Sequence, residues 1–440
     1  MDQILDRRPT GERASPDASR NDAPADGADD ATRGAPAGGA DATGTNRLGP
    51  DGSGADAPPL MRDADAAAGI AADHATDHAA RGPVPAPAVH APLDRAATKP
   101  IGPLPPDHPA VRIGKVGVLL VNLGTPDGTS YWPMRRYLSE FLSDRRVIEL
   151  PKAVWQPILQ GIILSVRPTK SGKAYEEIWN HEMGESWLRT YTRSQGEKLA
   201  ERLAGHEDVH VDWAMRYGRP SIAERTEALR RRGCERIVMM PLYPQYSATT
   251  TATVNDKFFQ ALMRTRYQPA VRTVPAYHDE PAYIKALADS IQAHLATLDW
   301  EPELVVASYH GIPQSYFRKG DPYHCHCQKT SRLVIEQLGW PKERFLTCFQ
   351  SRFGPEEWLQ PYTDKTVEAL AKRGVRRIAV MNPGFVSDCL ETLEEIAGEA
   401  GEIFEHAGGT HFTHIPCLND SEGGMDVIET IVRRELSGWV

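Results

Sequence analysis

Two stretches of this chain, Pro220–Pro241 and Pro361–Asn382, align without a gap at an offset of 141 residues. Glu-Ala-Leu at 227–229 matches 368–370, Arg232-Gly233 matches Arg373-Gly374, Arg236-Ile237 matches Arg377-Ile378, and Met240 matches Met381. Each copy reads as a helix, a glycine stop and a buried strand. A chain that repeats this unit folds as two equivalent α/β halves. Apolar runs that alternate with helical patterns fit parallel sheets with crossover helices. The runs are Val116–Leu123, Val209–Met215 and Ile237–Leu242 in the first half. In the second they are Leu304–Ser308, Phe345–Cys348 and Ile378–Met381. The expected organisation is an extension over 1–110, a first domain over 111–280 joined by a closing helix in 421–440, and a second domain over 281–420.

The extension is built mainly from Ala, Gly, Asp, Pro, Thr and Arg and has no apolar periodicity. It cannot bury enough apolar surface to offset chain entropy and is expected to be disordered. It lacks the apolar centre of a secretion signal, and its aspartates are foreign to organellar transit peptides. The net charge of −9 excludes a nucleic-acid binder. No window of about twenty apolar residues exists, so no span of a membrane is expected. The longest apolar stretch, Val154–Val166, contains Gln156 and Gln160. It reads as a helix of a pocket wall, as an interfacial lip for peripheral membrane contact, or as an ordinary buried helix. Six cysteines without a CxxC pair indicate reduced thiols and a cytoplasmic setting.

In open α/β sheets, ligands bind beyond the carboxyl ends of the strands. Here those ends carry Asn122–Pro126, Arg216-Tyr217, Tyr243–Ser247, Ser308–His310, Phe349–Ser351 and an acidic segment. His310 stands at a strand exit beside Gly311, where a neutral imidazole can take a proton or bind a divalent metal. Asp388, Glu391, Glu395 and Glu399 fall at i, i+3, i+7 and i+11, which predicts one helical face. Stacked like charges repel, so the row is read as a path for a cation rather than a solvated surface. By the repeat, Asp388 and Glu391 replace Ser247 and Thr250 of the first half. His324-Cys-His-Cys327 has the residue types of a metal site. Neighbours on a helix or strand cannot converge on one ion, so a structural role is expected. Arg167, Arg216, Tyr175, Tyr217 and Phe349 suit a flat apolar ligand with carboxylates at its edge.

These segments resemble the ferrochelatases. The resemblance runs from about Val116 to Leu436. It rests on Val121–Pro126, Arg216-Tyr217, Tyr243–Ser247, Ser308–Pro313, Lys319–Tyr323, Phe349–Ser351 and Pro383–Glu395. It implies two Rossmann-like, chelatase-like domains around a porphyrin cleft, and insertion of Fe²⁺, as substrate, into protoporphyrin IX. It implies that His310 and Glu391 handle metal and protons, with Asp388, Glu395 and Glu399 as the metal path. Leu123, Arg167, Tyr175, Ser186, Arg216, Tyr217 and Phe349 would line the substrate pocket. Some family members hold a [2Fe–2S] cluster. Here Ala248 fills the first ligand position and no cysteine follows Cys417, so no cluster is expected. Phe349 stands where other members have Trp, and Met183–Trp187 is an unusual Gly-rich loop. A coproporphyrin or other metal chelatase and a non-catalytic porphyrin or iron carrier are the alternatives. A hydrolase lacks support, because no Gly-x-Ser-x-Gly elbow is present.

Overall fold

A computed structural model describes residues 114–440. The disorder expected for the extension lies outside these residues.

Two parallel four-stranded sheets carry the fold. The first contains β1 (Lys115–Gly124), β2 (Val209–Tyr217), β3 (Cys234–Pro241) and β4 (Ala270–Thr273), in the order β2-β1-β3-β4. The second contains β5 (Leu304–His310), β6 (Phe345–Gln350), β7 (Arg377–Met381) and β8 (His411–Ile415), in the order β6-β5-β7-β8. The two orders are the same, as the repeat requires. Helices α5 (Ile222–Arg231) and α10 (Thr363–Lys372) occupy equivalent positions within it. Gly233 and Gly374 end these units at φ of 88° and 97°. Side chains disfavour that left-handed conformation, which explains the glycine in both copies. The two copies start differently. Ser221 and Glu224 form a reciprocal capping box on α5, whereas Tyr362 caps α10 without a side-chain bond.

The period-two alternation along the strands separates the cores. In the first sheet, Leu119, Val121, Ile237 and Met239 face outward onto α5 and α6 (Thr253–Met263). In the second, Val306, Ile378 and Val380 face α10, α12 (Gly401–His406) and the segment 393–400. The other faces share one interior. Val118, Leu120 and Met240 join Val305, Ala307, Tyr309 and Met381 there, together with Met425, Ile428 and Ile431 of α13 (Glu422–Leu436). Helix α13 also packs on α4 (Trp187–Arg202) and α7 (Pro281–Leu295).

Polar bonds reinforce this joint. Gln245 donates to Thr330 Oγ1 at 3.1 Å and to the Pro383 carbonyl at 3.3 Å. Asp321 Oδ2 accepts from Ser247 Oγ at 3.0 Å and from the Ala248 N–H at 2.7 Å. Gln195 Nε2 reaches Ser387 Oγ at 3.0 Å and the Asn419 carbonyl at 2.8 Å. The Tyr243–Ser247 and Lys319–Tyr323 motifs thus hold the halves together.

Two features depart from the sequence expectation. Strands β4 and β8 follow no apolar run. They are short, partly exposed strands, each at one edge of its sheet. The acidic row is not one α-helical face. Only α11 (Leu390–Thr392) is α-helical, and Leu393–Ala400 form a π-helix. Its i→i+5 bonding changes which side chains align.

Candidate active site at the carboxyl ends of β5, β6 and β7

His310 ends β5 and is partly exposed. Its Nδ1 lies 2.6 Å from the Gly311 carbonyl. A carbonyl only accepts, so Nδ1 carries a proton, and in that neutral tautomer Nε2 keeps its lone pair for a metal or a proton. Across the ladder, His310 pairs with Gln350 of β6. The Gly311 N–H donates to the Gln350 carbonyl at 2.7 Å. A Cβ at position 311 would meet that carbonyl oxygen at 3.0 Å and the Ser351 oxygen at 3.2 Å. Glycine therefore permits the close approach of the two strand ends.

Glu391 comes from the acidic segment after β7. Gln350 Nε2 donates to its backbone carbonyl at 2.6 Å. Residues 350 and 351 therefore touch both the His310 loop and the segment that carries Glu391. The Glu391 carboxylate faces the first half. Burial pushes the Tyr175 phenol well above its ordinary range, and the Glu391 charge adds to the effect. Burial, Tyr175 and then Glu391 do the same to Tyr137. Both phenols stay protonated beside the carboxylate. Their rings stand edge-on at 6.4 Å. Leu123, Phe141, Tyr217 and Leu390 belong to the same aromatic cluster beneath residues 155–164. Tyr137 packs with Tyr175 and Tyr217, two of the expected wall residues, but nothing in α1 (Tyr131–Leu142) distinguishes it from an ordinary core tyrosine.

Glu395 is held by Ser351. Its Oε1 accepts from the Ser351 N–H at 2.7 Å, and Oε2 accepts from Ser351 Oγ and, at 3.2 Å, from Gln350 Nε2. Ser351 reaches this geometry at φ 57°, a left-handed conformation that costs of order 1 kcal/mol or more for a non-glycine. Glu399 is exposed. In a π-helix Glu394 and Glu399 are i, i+5 neighbours, so Glu394 joins the acidic face instead of pointing elsewhere. Burial pushes the Glu394 carboxyl up to about 7, helped by Glu399, Glu395, Glu177 and Glu391.

Other expected site residues are differently placed. Asp388 is buried before the helix begins. Its Oδ2 accepts from Asn419 Nδ2 at 2.6 Å, and its Oδ1 from Thr392 Oγ1 at 2.9 Å and the Cys417 N–H at 3.3 Å. It braces the turn and does not share the face of Glu395 and Glu399. Arg216 is also buried, with its Nε and one terminal nitrogen engaged and the other, Nη1, without a hydrogen-bond partner among the described residues. It pairs with Asp144, and its Nε donates to the Thr253 carbonyl at 3.0 Å and to Thr253 Oγ1 at 2.6 Å. Tyr217 donates to the same Asp144 at 3.0 Å. Ser186 caps α4, accepting from the Arg189 N–H at 3.3 Å. Phe349 is a core side chain between Tyr309 and His324. Arg167 is exposed on α3 (Leu164–Glu177), with its guanidinium 5.2 Å from the Phe353 ring of the opposite half.

His324–Cys327 open α9 (Tyr323–Leu338) and fan around it. His324 stacks on Phe349, His326 stacks on His278 at 3.7 Å, Cys327 is buried and Cys325 is exposed. They do not converge on one point.

The ferrochelatase family model matches residues 115–436. The chain belongs to the ferrochelatase family. The ferrochelatase of Agrobacterium fabrum is 72% identical over 337 residues, covering 77% of this chain and 98% of that protein. That of Rhizobium meliloti is 70% identical, covering 76% and 98%. Among solved structures, SirB from Bacillus subtilis with Fe³⁺ superposes at a TM-score of 0.43 and 11% identity, over 74% of this chain and 97% of its own. No functional weight rests on so loose a superposition. As in the sequence reading, the ferrochelatase match begins where the first strand does and leaves the extension outside it.

Proposed function

We propose that this ferrochelatase metallates its porphyrin between His310 and Glu391, with Glu395 and Glu399 as the approach for hydrated Fe²⁺. The enzyme is a lyase that inserts Fe²⁺ into protoporphyrin IX to form protoheme, the last step of heme biosynthesis. The plain ferrochelatase names of its relatives favour this activity over a coproporphyrin chelatase or a non-catalytic carrier.

One observation carries the site assignment. Gln350 bonds to the backbone beside His310 and to the backbone of Glu391, so the imidazole and the carboxylate rise from one junction. Two pyrrole N–H protons leave as Fe²⁺ enters. His310 Nε2, whose lone pair is free, accepts one. Glu391, flanked by the neutral phenols of Tyr137 and Tyr175, accepts the other. Positioned bases of this kind contribute roughly 10²–10⁴ in rate. Imidazole and carboxylate hold the metal weakly enough to release it to four ring nitrogens, unlike a thiolate cage. Arg167 at the rim suits a propionate, and distal grip of that kind supplies the energy to bend the ring. Arg216 is less suited to this role, because it is buried and pairs with Asp144.

His310→Ala tests the assignment. Iron insertion is expected to fall to background while porphyrin binding stays near wild type. Normal turnover in that variant refutes it.

We further propose that no [2Fe–2S] cluster is bound. Thiolate ligands must share a neighbourhood. The six cysteines lie on β3, α9, β6, the turn before α11 and the segment after β8, and Ala248 replaces a ligand position. Among the described residues, no helix is long and apolar enough to cross a membrane. Val154, Ile158, Ile162 and Val166 recur every fourth residue and are 56%, 37%, 66% and 71% exposed. This stripe supports peripheral contact of a cytoplasmic protein with a membrane surface.

A further inference from the structure

Gln350 is buried, and its amide makes every bond it can. Its Oε1 accepts from Ser308 Oγ at 2.8 Å and from Asn382 Nδ2 at 2.7 Å. Two donors on the oxygen fix which way the amide faces. The Nε2 must then point at acceptors, and it finds the Glu391 carbonyl at 2.6 Å and Glu395 Oε2 at 3.2 Å. Asn382, in turn, is oriented from behind. Its Nδ2 also donates to the Ser308 carbonyl at 3.1 Å, and its Oδ1 sits 3.0 Å from His414 Nε2. Burial pushes the His414 imidazole below its ordinary range, so the ring is neutral and Nε2 carries the proton. The chain of donors therefore runs in one direction, from His414 through Asn382 and Gln350 to the acidic segment.

Three strand ends meet at this amide. Ser308 is two residues before His310 on β5, Asn382 follows β7, and Gln350 closes β6. Its own carbonyl takes the Gly311 N–H, and its neighbour Ser351 adds two bonds to Glu395. A merely space-filling glutamine would not need a directed amide with four partners on three separate segments.

We infer that Gln350 is a positioning residue for metal insertion: it sets the approach of His310 to Glu391 and holds the Glu395 carboxylate at a fixed place on the iron path. The inference rests on the assignment of His310 and Glu391 as the reacting pair. Gln350 touches neither substrate nor metal and acts through the segments it joins.

Gln350→Met and Gln350→Glu test it, in purified enzyme given Fe²⁺ and protoporphyrin without oxygen. Met keeps the length and removes all four bonds. Losing hydrogen bonds to a charged group and a buried carbonyl is expected to lower kcat/KM for iron about ten- to a hundred-fold. Porphyrin binding should stay within about twofold, since the porphyrin wall is untouched. Glu keeps the shape but turns the donor into an acceptor facing Glu395. Its deficit should shrink as pH falls, because a protonated carboxyl donates again, whereas the Met variant should follow the wild-type pH profile. Asn382→Asp, which removes the donor that orients the amide, is expected to raise the KM for iron in the same way. It serves where the Gln350 variants fail to fold. The inference is overturned if folded variants keep iron kcat/KM within twofold of wild type. It is also overturned if the Glu and Met variants lose activity with the same pH profile and only in step with lost thermal stability. These results are separable from a failure of the site assignment. An inactive His310→Ala beside normal Gln350 variants sinks this inference alone, and an active His310→Ala sinks the assignment.

Discussion

The Arg216–Asp144 pair offers a stringent test, because sequence pattern and structure give Arg216 different work. By pattern it is a substrate-binding cation. In the structure its Nε satisfies Thr253 and its terminal nitrogen satisfies Asp144, which Tyr217 and Thr253 also engage. Burial pushes the Asp144 carboxyl up. Hydrogen bonds from Thr253 and the Arg146 N–H, with the Arg216 charge, outweigh burial and hold it below its ordinary value of 3.8. Arg216→Met leaves a largely buried carboxylate without its cation. Breaking a buried pair from one side costs about 3–5 kcal/mol. Asp144 keeps three other donors, so a loss of about 3 kcal/mol is expected at pH 7. Adding Asp144→Asn removes the stranded charge, and the double variant should recover about 1–2 kcal/mol of that loss. The sign with pH follows from the depressed carboxyl. Its stabilisation is present above pH 3.8 and is lost as pH falls through the lower folded value. The gap between wild type and Arg216→Met should therefore close in acid. Urea denaturation at several pH values, paired with porphyrin fluorescence quenching, measures both quantities. A variant with wild-type stability and weakened porphyrin binding refutes the structural role and restores the substrate-binding one.

Glu399→Gln removes an exposed charge from the iron approach, so the KM for iron should rise a few-fold and that for porphyrin should not; steady-state kinetics with each substrate varied decides this. His278 lies against His326, Asp279 and Lys329, and burial followed by the His326 ring pushes it down to about 4 from 6.5. The fold therefore resists protonation there: stability is full above about pH 6.5 and declines towards pH 4. His278→Phe should flatten that decline by about 1–2 kcal/mol, allowing for solvent screening, and an unchanged Tm-against-pH curve contradicts it. Ile162→Glu places a charge in the exposed stripe and should reduce co-sedimentation with lipid vesicles while leaving turnover of detergent-dispersed porphyrin intact.

Much of this architecture is written in apolar runs. Six of the eight strands announce themselves through apolar runs. The other two, at Ala270–Thr273 and His411–Ile415, are short and only partly buried, and their mixed residues carry no such signal. The repeat foretold two like-ordered sheets because a helix, a left-handed glycine and a strand leave a rigid local imprint. The proposed site was legible at His310, which ends β5, and at Glu391, on the acidic segment that follows β7. It was less legible where the meaning of a polar residue depends on its partner. Arg216 and Asp388 have the chemistry of ligands, but Asp144 in one case and Asn419 in the other already occupy them. The charge spacing at 388–399 suggested an α-helix, and a one-residue shift in backbone bonding moved Glu394 onto the shared face. Gln350 escaped notice for the opposite reason, since an amide gains its importance only from neighbours far away in the chain.

A vice deforms whichever of its contents yields first. Here both jaws grow from a common interior, and Gln245, Asp321 and Gln195 rivet them across the seam. Such jaws have little give, so at the proposed site the load of gripping would fall on the macrocycle. The stiffness of the seam would then act as a chemical reagent, delivering to the tetrapyrrole the curvature that opens its nitrogens to iron.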